Sequence, residues 1–316
     1  MRVFLAGATG VIGRRLTPML TRAGHEVVAT TRTPRKAREL EQAGAHAIVL
    51  DALRREAVFE AARNAKPEVV IHLLTALPRR PSPRSIERDM AINDRLREDG
   101  TRDLVAAAQQ AGASKMIAQG AAFLYMPLAG VAGRPALRGE EDALNFEAPK
   151  ALMRSINALH MLEHTVRSAD GLEGVVLRLG HLYGPGTAYA HDGATVQQLR
   201  RRRLPMIGAG AAVWSFVHVD DAAAALLAAV QAPRGVYNVV DDEPAAVRQW
   251  LPELARVVGA PAPRRVPALL ARLLGGAGVV SMMTKGDGAS NQRAKEVLGW
   301  KPRIASWREG FRTSLS

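Results

Sequence analysis

One heptapeptide constrains this chain more than any other feature. Residues 2–6, RVFLA, form an apolar run that stops at Gly7-Ala8-Thr9-Gly10-Val11-Ile12-Gly13, and an amphipathic segment follows from Val11 to about Ala23. Strand, glycine turn and helix in direct succession open a βαβ unit, and each glycine has its own task there. Gly7 allows a tight turn, Gly10 lets the backbone approach a pyrophosphate, and Gly13 lets helix and strand pack closely. The free N–H groups at the helix start then face the anion. This predicts dinucleotide contacts at Gly7, Thr9, Gly10, Val11, Ile12 and Gly13.

The alternation continues along the chain. Strands are predicted at 25–30, 46–50, 68–74, 115–119 and 174–180, with helices near 34–43, 54–64, up to about 111, and 150–168. Strands alternating with helices imply a parallel sheet covered on both faces. Beyond 180 the Gly/Pro punctuation thickens, with short helices at 194–203, 219–231, 245–258 and 266–274 and a strand at 236–240. The expected class is α/β: a Rossmann-type doubly wound parallel sheet with a smaller, mostly C-terminal substrate-binding lobe. Residues 1–178, with 212–240 returning to them, form the dinucleotide-binding domain; 179–211 and 241–316 form the substrate lobe.

Composition narrows the function classes. The formal charge of +13 invites a nucleic-acid reading, but only seven of the 43 basic residues are lysines, the arginines are scattered, and aromatics are 4%. Few stacking platforms remain for single strands, and no nucleic-acid partner is expected. With no cysteine there is no disulfide, thiolate nucleophile or cysteine-ligated metal. The start MRVFLAGATG reaches glycine before a signal-peptide core forms, and no apolar run is long enough to span a bilayer, so a cytoplasmic protein without membrane association is expected.

At the end of the second strand an NAD site usually carries a carboxylate for the ribose 2′-hydroxyl. Here the chain reads Ala29-Thr30-Thr31-Arg32-Thr33-Pro34-Arg35-Lys36. Thr31, Arg32 and Arg35 suit a 2′-phosphate, which a guanidinium holds bidentately, so NADP(H) is predicted over NAD(H). Asp51 either accepts from the adenine amino group, beside Ala52 and Leu53, or caps the helix starting near Arg54. Leu74, Thr75 and Gln119, at later strand ends, complete the expected cofactor contacts.

Six segments in order then resemble the extended short-chain dehydrogenase/reductase family of sugar epimerases and dehydratases. They are MRVFLAGATGVIGRRL, EVVIHLL, DGTRDLVAAAQQAGASKMI, VVLRLGHLYGPG, WSFVHVDDAAAALLAAV and VYNVVDDEP. The resemblance implies a Ser or Thr that positions the substrate oxygen, a Tyr acid/base, and a Lys four residues on that holds the nicotinamide ribose. The matching positions hold Ala121, Ser155 and Leu159, and no Tyr-x-x-x-Lys occurs in the chain. The resemblance also implies a homodimer through helices at about 85–111 and 150–168.

Replacement groups are sought at the carboxyl ends of the strands. His181, after the 174–180 strand, titrates near working pH and is either a proton donor or a structural histidine. Tyr125 either offers a phenol or walls the pocket, and Ser155 positions substrate or water. Tyr183 is expected along the cofactor, while His218, Asp220 and Asp221 cap and brace the helix they begin. His160 and His164 have metal-ligand spacing but no third ligand, so no metal is expected. Phe123, Tyr125, Met206, Trp214 and Phe216, with FLYMPL at 123–128, suggest an apolar pocket for a small-molecule substrate, with Arg200 at its rim. Three functions fit: an NADP(H)-dependent oxidoreductase acting on a small carbonyl or conjugated metabolite with a non-standard proton donor; a non-redox epimerase, dehydratase or isomerase; or a silent nucleotide-sensing binding protein.

Overall fold

The computed structural model describes residues 1–78, 85–125, 137–144 and 149–315. The Pro/Arg loop expected at 78–84 and most of the 127–149 loop, including the end of FLYMPL, lie outside the described residues.

Seven apolar segments form one sheet: β1 (Arg2–Ala6), β2 (Glu26–Thr31), β3 (His46–Val49), β4 (Val69–His72), β5 (Lys115–Ala121), β6 (Glu173–Leu179) and β7 (Gly235–Val239). All pairings are parallel, in the order β7-β6-β5-β4-β1-β2-β3. The order reverses between β1 and β4, and the crevice at that switch point is where open α/β sheets take ligands.

Helices α1 (Gly13–Arg22), α2 (Pro34–Gln42), α3 (Arg55–Ala65), α4 (Ile86–Gln110), α5 (Lys150–Arg167), α6 (Ala194–Arg200), α7 (Val219–Ala229), α8 (Val247–Val257), α9 (Ala268–Thr284), α10 (Gln292–Val297) and α11 (Trp307–Leu315) complete the chain. On one face of the sheet Leu16 and Leu20 of α1 pack with Ala222 and Leu226 of α7; on the other, Val58 of α3, Leu104 of α4 and Leu162 of α5 form a second core. A third core, around Phe216, Trp250, Trp307 and Phe311, belongs to the second lobe. Each fully buried side chain of this size contributes about 1.5–3 kcal/mol.

Three boundaries differ from the pattern in the sequence. The helix expected to run to 203 ends at Arg200, because Arg202 adopts a left-handed φ of 54°. The helix expected to end at 274 breaks at Gly276, with φ of 82°, and resumes to Thr284. The C-terminal segment is also shared: Ala294 and Trp300 pack into the core beneath α1 and α7, since α10 lies against β7.

Candidate active site

Every chemically interesting loop leaves the sheet at the carboxyl ends of its strands. The Gly loop follows β1, and Gly7 has φ of +90°. A Cβ on Gly7 would sit 2.6 Å from the Leu73 carbonyl oxygen, and one on Gly13 would sit 2.5 Å from the Gly7 carbonyl oxygen. Both positions therefore require glycine, and the loop is pressed against the segment that follows β4. Gly10 is exposed, Thr9 and Val11 are half-buried, and Ile12 is buried as the N-cap residue of α1. No side chain caps α1 and no acidic residue lies in its first turn, so its N-terminus is open to an anion. This cradle fits a dinucleotide pyrophosphate.

Arg15 ties the helix start to its surroundings. Its guanidinium donates to Asp220, to the Val11 carbonyl and to the Pro185 carbonyl, at 2.5, 2.9 and 2.9 Å. His218 caps α7 by accepting from the Asp220 N–H, and Asp221 accepts from the backbone of Arg303 and Ile304. These three residues cap and brace as their sequence position suggests.

At the end of β2 the buried Thr31 hydroxyl accepts from the Thr33 N–H at 3.2 Å. Arg32 and Arg35 are exposed and have no ion pair among the described residues. Asp51 is exposed, and its carboxylate accepts from the Leu53 N–H at 3.1 Å. It closes a turn rather than capping α3, whose N-cap residue is Arg54. Ala52 is buried, Leu53 and Leu74 are half-buried, Thr75 is exposed, and Gln119 is half-buried in β5.

The triad positions are occupied in an unexpected way. Ala121 and Leu159 are buried and pack with Leu124 and Ile156. Ser155 donates to Asp94 of α4 at 2.9 Å. His181 is half-buried between Trp214 and Phe123, stacked at ring-centroid distances of 4.0 and 5.2 Å. Burial in this aromatic sandwich pushes its pKa down to about 3, so at neutral pH it is an uncharged flat ring and no imidazolium proton source. Phe123 is 56% exposed, which leaves one end of the stack open.

Several sequence candidates are engaged by the fold itself. The Tyr125 hydroxyl donates to Asn238 and accepts from Arg178, at 2.6 and 2.9 Å, and burial raises its pKa to about 12. It is a structural wall. Tyr183, expected along the cofactor, is fully buried with its ring edge on Phe311 and His218. Met206 and Phe216 fill the second-lobe core, whereas Trp214 is half-buried at its edge and stacks on His181. Arg200 donates to the carbonyls of His191 and Val258, at 3.1 and 3.3 Å, and braces its own lobe.

Sequence reasoning missed two groups. His72, at the end of β4, accepts from the Leu74 N–H through Nδ1 and contacts Thr101 Oγ1 at 2.9 Å. Burial, with the Arg97 charge nearby, lowers its pKa to about 4, so it shapes the loop as a neutral ring. Arg97 itself lies on the face of α4 that carries Leu104 and Ala108, a spacing that marks it as inward-facing. Among the described residues no group of three metal-ligating side chains converges, and no helix is long and apolar enough to cross a membrane.

This geometry has known counterparts. Residues 3–240 match the model of the NAD dependent epimerase/dehydratase family. A 3-diazoavenalumate denitrifying reductase from Streptomyces sp. is 46% identical over 98% of this chain and 99% of that protein. UDP-glucose 4-epimerase from Thermotoga maritima, solved with UDP-glucose, superposes with a TM-score of 0.75 at 22% identity, covering 99% of this chain and 97% of that one. A human epimerase family protein solved with NADPH gives 0.73 at 20% identity, over 99% of each chain. The chain belongs to the NAD-dependent epimerase/dehydratase family and is an NAD(P)-dependent enzyme of oxidoreductase or epimerase type.

Proposed function

We propose that this protein is an NADP(H)-dependent reductase that replaces an aryl diazonium group of a carboxylate substrate by hydrogen; a 46% identical Streptomyces relative is named a 3-diazoavenalumate denitrifying reductase. The observation that carries the reading is that none of the candidate positions among the described residues is poised as a proton donor. Ala121 and Leu159 are apolar and buried, Ser155 is bonded to Asp94, and His181 is neutral. Reducing a ketone needs a hydride and a proton at oxygen, and this site is poorly equipped for the second. Replacing a diazonium group by hydrogen consumes one hydride, releases dinitrogen and needs no proton from the protein.

The residues divide the task accordingly. Gly7 to Gly13 and the N-terminus of α1 hold the pyrophosphate; Thr31, Arg32 and Arg35 hold a 2′-phosphate. A bound reduced nicotinamide supplies the hydride. Phe123, at the open end of its stack with His181 and Trp214, offers a ring face to a flat substrate, and the apolar cluster around Leu159 keeps water from competing. Residues 1–178 with 212–240 serve the dinucleotide, while 179–211 and 241–316 chiefly serve the substrate. Exposed Ile92 on α4 and Met161 on α5 support a homodimer through those helices.

The test is a coupled assay with NADPH and an aryl diazonium carboxylate, measuring cofactor oxidation and dinitrogen together. One-to-one stoichiometry is the expected result. Reduction of ketones from a broad panel with the diazonium compound left untouched would overturn the reading.

A further inference from the structure

The most unusual group in the molecule is the guanidinium of Arg97. It is 9% exposed, yet it makes no hydrogen bond and no ion pair among the described residues. Burial lowers its pKa only to about 10, so it is a cation at neutral pH. The Asp94 charge offsets part of that burial, but hydrogen-bonding capacity left unused at a buried guanidinium is costly unless a ligand takes it up.

The neighbours of Arg97 are equally unspent. Asn93 and Asp94, one turn earlier on the same face of α4, are fully buried; Asn93 Nδ2 and Asp94 Oδ1 have no hydrogen-bond partner among the described residues. Asn93 Oδ1 accepts from the Ala76 N–H at 3.1 Å, and a Cβ on Gly100 would touch Leu74 at 4.0 Å. This face of α4 therefore lies along the 72–76 loop, the loop that Gly7 abuts.

Register locates the cluster further. Helices α4 and α5 each connect two parallel strands and cover the same sheet face, so they run parallel. Ser155 meets Asp94, and one turn beyond that contact stand Leu159 on α5 and Arg97 on α4. A positive charge is thus found on the facing helix, level with the position where the resembled family carries lysine.

We propose that Asn93, Asp94, Arg97 and Ser155 hold the two hydroxyls of the nicotinamide ribose, with Arg97 supplying the cation absent at Leu159. The mixture of donors and acceptors selects this ligand. A guanidinium and an amide donate to hydroxyl oxygens while Asp94 accepts a hydroxyl hydrogen, whereas a carboxylate or phosphate would be repelled by Asp94. The inference rests on the reading of the crevice as a nicotinamide dinucleotide site.

The test uses the full-length protein, NADPH and NADH as probes, and, as controls without the nicotinamide half, ADP and its 2′-phosphate. Arg97→Met should weaken the preferred dinucleotide about ten- to a hundredfold, the usual value of charge-assisted hydrogen bonds. It should leave the adenosine-half probe unchanged. The ligand-free variant loses the charge that faces Asp94, so its melting temperature is read beside both affinities, and Arg97→Lys should recover part of the dinucleotide affinity. An unchanged dinucleotide affinity would overturn the proposal, as would a lower melting temperature with equal loss of both probes. Wild type binding the control but not the dinucleotide would overturn it as well; wild type binding neither would instead sink the dinucleotide reading and this inference with it.

Discussion

Two arginines are buried in this molecule in opposite ways. Arg178, on β6 and 2% exposed, makes three hydrogen bonds to Glu163, one to the Tyr125 hydroxyl and one to the Glu140 carbonyl. Asn238, bonded to Tyr125, donates its backbone N–H to Glu140 Oε1 and so closes the network between β6, β7 and the segment after β5. Arg97, at the crevice, has the Asp94 charge nearby but no hydrogen bond from its guanidinium among the described residues. The difference teaches that burial of a charge does not reveal its purpose, whereas its unspent bonding capacity does. A saturated guanidinium holds the fold, and an unsaturated one waits for a partner.

The largest effect that can break this comparison is on the saturated side. Arg178→Met leaves Glu163 as an uncompensated buried charge and should lower unfolding stability by about 3–5 kcal/mol, read by denaturant titration. If it costs no more than Arg97→Met does in the ligand-free protein, the distinction between the two arginines fails.

Asp241 sharpens the same contrast, because it is a buried carboxylate with one oxygen that has no hydrogen-bond partner among the described residues. Burial raises its pKa from 3.8 to about 8. The folded protein thus keeps a proton that the unfolded chain loses, so stability should fall as pH rises from about 4 to about 8, by at most about 1.4 kcal/mol per pH unit. Asp241→Asn should flatten that slope in a melting series across the window. A slope unchanged by the substitution would show that some other group titrates.

The smallest expected effect belongs to an exposed cation. Arg32→Ala should shift the NADPH-to-NADH affinity ratio about tenfold toward NADH without moving the melting temperature. An unchanged ratio in a fluorescence titration would remove Arg32 from the 2′-phosphate site.

The sheet and the glycine loop were legible in the sequence because backbone sterics dictate them. Only glycine satisfies the contacts at Gly7 and Gly13, and the apolar runs of β1 to β6 have few other ways to be buried. The chemical end of the crevice depends instead on single side chains whose meaning is set by distant neighbours. Tyr125 reads as a candidate acid until Arg178 and Asn238 are seen around it. Arg97 reads as one more charge in a charged helix, INDRLRED, although its spacing from Leu104 and Ala108 carried the inward signal. Phe216 and Tyr183 were misplaced because an aromatic at a strand end fits a core and a pocket equally well.

Trp214 carries a consequence for observing the molecule at work. Three of the four tryptophans, Trp250, Trp300 and Trp307, are buried in lobe and sheet cores, while the half-buried Trp214 stacks on His181 and donates its indole N–H to the Met282 carbonyl at 3.0 Å. A molecule entering beside that stack alters the surroundings of the Trp214 indole, with Trp250 packed 4.8 Å behind it, more than those of Trp300 and Trp307. The protein therefore carries its own optical gauge of occupancy, and stopped-flow emission can time substrate arrival with no label attached.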